Sequence, residues 1–327
     1  MVPSSTPRSR KIIMAIILLI ALGAAVFLLI GCPGTTKSAN QSLVVPQKFL
    51  DSALLINHLT FLTSPATAGR ESATPGNLLA QQYIVRQFDS LQLAKPGDSY
   101  LQPFPLRSDT TKKGTNVIAM IRGTRYPDAY IAVTAHYDHL GTRNGTIYYG
   151  ADDNASGTSN LLAMAQYFKQ HPPQHSLLLV AFDAEEKGLL GSRYFVDHLP
   201  VPQSSIIMNL NMDMISRNDK NEIYACGIFH YPFLKKYLDS VQKLSAVSIR
   251  FGHDDPAKGG SQDWTSQSDH YAFHLKKIPF LYFGVEDHAD YHKPGDTFDK
   301  INKSFYYQVS SMIANTIILL DKQEKLQ

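Results

Sequence analysis

Apolar positions along the chain follow two rhythms. From Pro46 onward Phe49, Leu54, Leu55, Ile56, Leu59 and Phe61 recur at roughly helical spacing. Pro75-Gly76 then opens a second amphipathic stretch, with Leu79, Tyr83, Ile84 and Phe88, that stops near Pro96-Gly97. After it the rhythm changes to short, nearly unbroken apolar runs at 116–121, 130–135, 177–182, 206–210, 222–225 and 278–283. Runs of this kind predict strands covered on both faces. Helical patterns at 156–170, 188–198, 231–244 and about 304–321 separate or follow them. Alternation of helix and strand predicts an α/β fold, a single globular domain over 47–327 whose central mixed sheet is mostly parallel and flanked by helices.

The first 46 residues belong to a different regime. Arg8, Arg10 and Lys11 precede an apolar run from Ile12 to Ile30 that carries no charge, the layout of an export signal. The run ends in Leu29-Ile30-Gly31-Cys32, which resembles the lipobox of bacterial lipoproteins. That resemblance implies a signal peptide at 1–31, cleavage before a lipidated Cys32, and a polar tether over 32–46. The other reading is an uncleaved helix that anchors the chain in the membrane. Both predict an exported, membrane-anchored protein facing the periplasm or the cell exterior. The leader also accounts for the net charge of +3, because it holds three of the 31 basic residues and none of the 28 acids. The remainder is neutral, which removes the compositional case for a nucleic-acid partner. Two cysteines, one of them Cys32, exclude a disulfide scaffold.

Acids and imidazoles cluster where the predicted strands end. The run at 130–135 leads into His136-Tyr-Asp138-His139, and the run at 177–182 into Asp183-Ala-Glu185-Glu186. The run at 206–210 leads to Asn211-Met-Asp213, and the run at 278–283 to Glu286-Asp287-His288 and Tyr291-His292. A loop before a helix adds Gly150-Ala-Asp152-Asp153-Asn154-Ala-Ser156-Gly157. Ligands of open α/β sheets bind beyond the carboxyl ends of the strands, so these groups meet at one edge. So many carboxylates in one place repel one another unless cations lie among them.

Oxygen and nitrogen donors without cysteine suit zinc, manganese or cobalt in a hydrolytic site. Three acids and two histidines exceed the needs of one tetrahedral ion with an open position, and suit two ions bridged by a carboxylate. The sequence has no His-Glu-x-x-His, no Gly-x-Ser-x-Gly and no phosphate- or dinucleotide-binding fingerprint. Neighbours in an extended segment point to opposite sides, so one carboxylate of Glu185-Glu186 can ligate while the other acts as a base. Asp138 lies two residues beyond His136 and can accept the second imidazole proton.

The set of motifs His-x-Asp, Gly-Ala-Asp-Asp-Asn-Ala-Ser-Gly, Asp-Ala-Glu-Glu-x-Gly-Leu-Leu-Gly-Ser, Asn-Met-Asp-Met and Tyr-His-x-Pro-x-Asp-Thr is similar, in kind and order, to that of the two-zinc aminopeptidases of the clan MH metallopeptidases. The resemblance runs from about Asp51 to the C-terminus and implies a zinc exopeptidase fold. It implies two Zn2+ per chain, with Mn2+ or Co2+ as substitutes. His136 and Asp213 hold one ion, Glu186 and His292 the other, and Asp153 bridges them. It further implies a cis bond at Asp153–Asn154, and an aminopeptidase that hydrolyses N-terminal residues from peptides with a water activated by the two metals and Glu185 as general base. His139 and His288 match no ligand position and read as local or pocket groups.

Three other readings attach to the same fold. A glutaminyl-peptide cyclotransferase of this group has an indole before its last His, where Tyr291 stands here; the single Trp is Trp264. Carboxypeptidase relatives bind a substrate carboxylate through Arg, for which Arg217 and Arg143 are candidates. A catalytically inactive receptor-like ectodomain would lack ligands, whereas all five positions and Glu185 are filled. The polar stretch 252–268 reads as a loop over the site.

Overall fold

The computed structural model describes residues 50–107 and 109–326. The expected export segment at 1–31, Cys32 and the expected tether at 32–46 lie outside the described residues, as does Phe49. Among the described residues no helix is long and apolar enough to cross a membrane.

Helix α1, Ser52–Leu62, is capped by Asp51, whose carboxylate accepts the Ala53 and Leu54 N–H groups at 2.9 and 3.1 Å. It buries Leu55, His58, Leu59 and Leu62, the spacing of one helical face. Helix α2, Pro75–Ser90, begins with proline at its first position behind a Thr74 cap. Its end at Ser90 falls short of the Pro-Gly pair that the sequence marked as the stop.

Eight strands form one mixed sheet. They are β1 (Leu101–Leu106), β2 (Asp109–Ile121), β3 (Tyr126–His136), β6 (His175–Phe182), β7 (Ile206–Met212), β8 (Glu222–Cys226), β9 (Ser248–Arg250) and β10 (Phe280–Gly284), in the order β1-β2-β6-β3-β7-β10-β8-β9. The four central strands, β6, β3, β7 and β10, run parallel, while β2 and β8 flank them antiparallel. A small hairpin, β4 (Gly141–Arg143) with β5 (Thr146–Tyr148), stands apart from the sheet.

Every residue of β6 is buried, as a strand covered on both faces requires. Leu178, Val180 and Phe182 point to one face and pack with Ala132 of β3. Over that face lie α4 (Leu190–Asp197) and α6 (His270–Leu275), through Phe195, Val196, Ala272 and Phe273. Among the described residues the remaining α-helices are α3 (Gly157–Gln170), α5 (Lys235–Gln242) and α7 (Lys303–Asp321), the last capped by Asn302.

Several elements differ from the sequence reading for physical reasons. Strand β1 carries Pro103 and Pro105, which a ladder tolerates at the sheet edge where β1 lies. Strand β2 begins seven residues earlier than its apolar run, because Asp109–Gly114 pair only with β1 and stay polar. Strand β9 spans three residues, and α6 six, too few for either period to show.

Candidate metal centre

Because β6, β3, β7 and β10 run parallel, their carboxyl ends open on one edge. There β3 delivers His136, Asp138 and His139; β6 delivers Asp183, Glu185 and Glu186; β7 delivers Asp213; and the loop beyond β10 delivers His292. The 150–156 loop adds Asp153. The geometry separates the adjacent acids of that loop. Asp153 faces His136 and His292, whereas Asp152 accepts the Ser216 N–H and hydroxyl, both at 2.7 Å, and stands 3.3 Å from His288. The Asp153–Asn154 bond is cis.

Two donor groups share Asp153. In one, His136 Nε2 lies 3.2 Å from Asp213 Oδ1 and 3.4 Å from Asp153 Oδ1. In the other, His292 Nε2 lies 3.0 Å from Asp153 Oδ2 and 3.3 Å from Glu186 Oε2. The ligating atoms of His136, Asp153 and Asp213 all fall within 4.8 Å of one another, and so do those of His139, Asp153 and Glu186. The sequence-named residues are therefore brought together, with His139 as an addition.

A shell of hydrogen bonds orients these groups. Asp138 accepts the Glu185 N–H at 3.1 Å on one oxygen and the Glu186 N–H at 3.3 Å on the other. Its carboxylate stands 3.6 Å from His136 Nδ1, while its own carbonyl is closer at 3.2 Å. The imidazole thus meets the Asp138 main chain first, and the Asp138 side chain positions the glutamate pair. Ser268 donates to Asp213 Oδ2 at 2.8 Å, and buried Asp296 accepts the N–H groups of Asp152 and Asp153 at 3.0 Å.

Arg70 lies fully buried and donates to the carbonyls of Leu62, Tyr137, Tyr149 and Gly150 at 2.6–2.8 Å. Burial lowers its pKa to about 10, against the raising influence of Asp153, Asp296, Asp138 and Glu186. Sequence reasoning missed Arg70, Ser268 and Asp296. Only Asp296 had a signal, as the acid of Tyr-His-x-Pro-x-Asp-Thr.

Charge balance in the cluster shows what it can hold. Burial alone would depress the His136 imidazole, yet Asp213 and Glu185 hold it well above its ordinary value. Burial also opposes the charge on His292, but the hydrogen bonds it donates to Asp153 and Glu186 push it to about 10. Burial would raise Glu186, but His139 and His292 keep it far below the ordinary carboxylate range. Glu185 is pushed well above that range, by burial first and then by Asp213, Asp269 and Glu186, with His136 opposing. Imidazolium groups here do the neutralising that divalent cations can do in their place. The donors are oxygen and nitrogen only, and buried Cys226 lies on β8 in a cluster with Trp264, Phe280 and Tyr282. That chemistry fits zinc.

A pocket adjoins the cluster. Asp153, Glu185, Asp213 and His292 line it together with Met214, Trp264, Gln267, Tyr282, Val285, Asp287 and Tyr291. The 252–268 stretch therefore supplies a wall of the pocket through Trp264 and Gln267. Arg217 is committed to Asp290 at 2.9 Å, and Arg143 sits on the exposed β4–β5 hairpin over Tyr148. Neither lines the pocket.

Fold and site together define a class: an α/β domain with a carboxylate–imidazole cluster able to hold metal at the carboxyl edge of its sheet. The family model described as Peptidase family M28 matches residues 116–317, and the chain belongs to that family. Aminopeptidase YwaD of Bacillus subtilis (strain 168) is 30% identical over 231 residues, 67% of this chain and 48% of that protein. The chain thus spans about half the length of this curated relative. A zinc aminopeptidase from Bacillus subtilis, BSAP, superposes with a TM-score of 0.66 at 18% identity, over 86% of this chain and 100% of that one. A Bacteroides thetaiotaomicron glutaminyl cyclase bound to N-acetylhistamine superposes at 0.67 and 18%, over 83% and 98%.

Proposed function

We propose that this protein is a zinc-dependent aminopeptidase that removes N-terminal residues from peptides. The observation that carries the reading is that Asp153, Asp213 and His292, groups of ligand type, line one pocket together with the Glu185 carboxylate. His136 and Asp213 would hold one ion and Glu186 and His292 the other, with Asp153 placed to serve both. Zinc held there would supply Lewis-acid chemistry, lowering the pKa of water and polarising the scissile carbonyl.

The chain's own residues do the rest. Glu185 takes the proton of the attacking water and hands it to the leaving amine. Asp138 fixes the Glu185 and Glu186 main chain through two N–H bonds. Trp264, Tyr282 and Tyr291 offer aromatic surface to the side chain of the N-terminal residue. Relatedness to an aminopeptidase at 30% identity supports release from the N-terminus.

Hydrolysis of an aminoacyl-nitroanilide panel by the purified protein tests this. The expected result is zinc-dependent release that a chelator abolishes. Glutaminyl peptides belong in the panel, because Trp264 in the pocket and the cyclase superposition favour cyclisation as a second reading. Ring closure on those peptides without nitroanilide hydrolysis would transfer the assignment to it. A protein that takes up no zinc would instead be a binding ectodomain.

The lipobox-like segment supports an exported lipoprotein anchored through Cys32. The expected outcome for Cys32→Ala is transfer of the protein from the membrane to the soluble fraction, read by fractionation and blotting.

A further inference from the structure

The geometry points to His139 as a positioning residue that clamps Glu186, leaving one oxygen of that carboxylate free for the second ion. The inference rests on the two-metal reading above and concerns a residue that the family resemblance leaves without a role.

His139 Nδ1 lies 2.8 Å from Glu186 Oε1, and its ring is fully buried. The opposite oxygen, Oε2, faces His292 Nε2 at 3.3 Å. Distances decide between a ligand and a positioning group. Two donors held tetrahedrally by one zinc at about 2.0–2.1 Å stand roughly 3.3 Å apart. The His136–Asp213, His136–Asp153 and His292–Glu186 separations of 3.2, 3.4 and 3.3 Å are close to that length, and His292–Asp153, at 3.0 Å, is the shortest of the four. The His139–Glu186 separation is that of a charge-assisted hydrogen bond instead. From Asp153 Oδ2 the same nitrogen stands off at 3.7 Å. So Nδ1–H donates to Oε1, and Oε2 is left to ligate.

The ring is seated by the fold. Its main-chain N–H donates to the Arg70 carbonyl at 3.3 Å. Gly150, in the left-handed region at φ +55°, lies against it: a Cβ there would stand 2.5 Å from His139 Cγ and Cδ2. Gly150 therefore gives both the turn and the space for the imidazole. Its Nε2 is buried without a hydrogen-bond partner among the described residues, so Nδ1 is the atom through which it acts.

Zinc titration of the metal-stripped, full-length protein tests the role by calorimetry, with no need for turnover. The wild type is expected to take up two equivalents. His139→Asn keeps a donor in the place of Nδ1, and His139→Gln moves it to the place of Nε2 while filling the same space. The Gln variant should bind one equivalent about 10–100-fold more weakly, the cost of losing an outer partner of a metal ligand. The other equivalent should stay within about twofold, and the Asn variant should bind both within about threefold of wild type. Unchanged affinities in the Gln variant overturn the proposal. Loss of an equivalent at saturating zinc in either variant also overturns it, because His139 would then be a ligand. A wild type that takes up fewer than two equivalents overturns the two-metal reading itself, and that failure is distinct from one confined to the variants.

Discussion

Glu185 and Glu186 are neighbours in the chain, yet their surroundings drive them in opposite directions. Glu186 faces two imidazoles and stays ionised, while half-buried Glu185 loses solvent and has Asp213, Asp269 and Glu186 opposing its charge. A carboxylate pushed toward its protonated form is a stronger base once ionised, which suits Glu185 to proton transfer and Glu186 to ligation. Replacing Glu185 by Ala should lower kcat by about 10²–10⁴-fold while the bound zinc, read by plasma mass spectrometry, stays the same. Full activity in that variant would exclude Glu185 as the base. Asp138 acts one step removed. In Asp138→Asn the acceptor of two N–H groups loses its charge, so kcat should fall by a smaller factor than for Glu185→Ala, on the order of 10-fold.

At the scale of elements, the site exists because four parallel strands end together and loops fix what those strands deliver. Arg70 is the staple between them, tying the end of α1 to the His136–His139 segment and the Gly150 turn through four carbonyls. Arg70→Ala takes a donor from all four carbonyls. Leu62 and Gly150 keep the Thr67 hydroxyl and the Ala155 N–H. Tyr137 and Tyr149 lose theirs at about 1–3 kcal/mol each, and the emptied side-chain volume adds a cavity cost. The predicted loss is at least about 3 kcal/mol of unfolding free energy in urea, against about 1 kcal/mol for removing the α1 cap in Asp51→Ala. Equal small losses would mean that Arg70 does not bind these segments together. The strand-end acids and histidines were legible in the sequence because apolar runs lead straight into them, as Tyr130–Ala135 does into His136. Arg70 was not, since a lone arginine in a loop carries no period and its partners are main-chain atoms 8 to 80 residues away. Strand β1 was hidden by its prolines and α6 by its length. His139 was visible as a residue, but its contact with Glu186 depends on how β3 and β6 lie side by side.

For the whole molecule, the neutral body divides its charge unevenly, and the anionic edge governs how metal binding depends on pH. In the metal-free protein the His292 proton is held up to about pH 10, where burial is outweighed by Asp153 and Glu186. Ligation must displace it, so apparent zinc affinity should rise with pH through the neutral range, by about tenfold per unit for each proton released. Calorimetry at pH 7 in buffers of different ionisation enthalpy should detect at least one proton released as zinc binds. Heats independent of the buffer would contradict the charge balance described for the cluster. If Asp153 joins two metal positions, zinc-loaded crystals should show it in an anomalous-difference map at the zinc edge. Two peaks about 3.5–4 Å apart are expected, one among His136, Asp153 and Asp213 and the other among Asp153, Glu186 and His292; a single peak, or peaks away from Asp153, would rule out a shared Asp153.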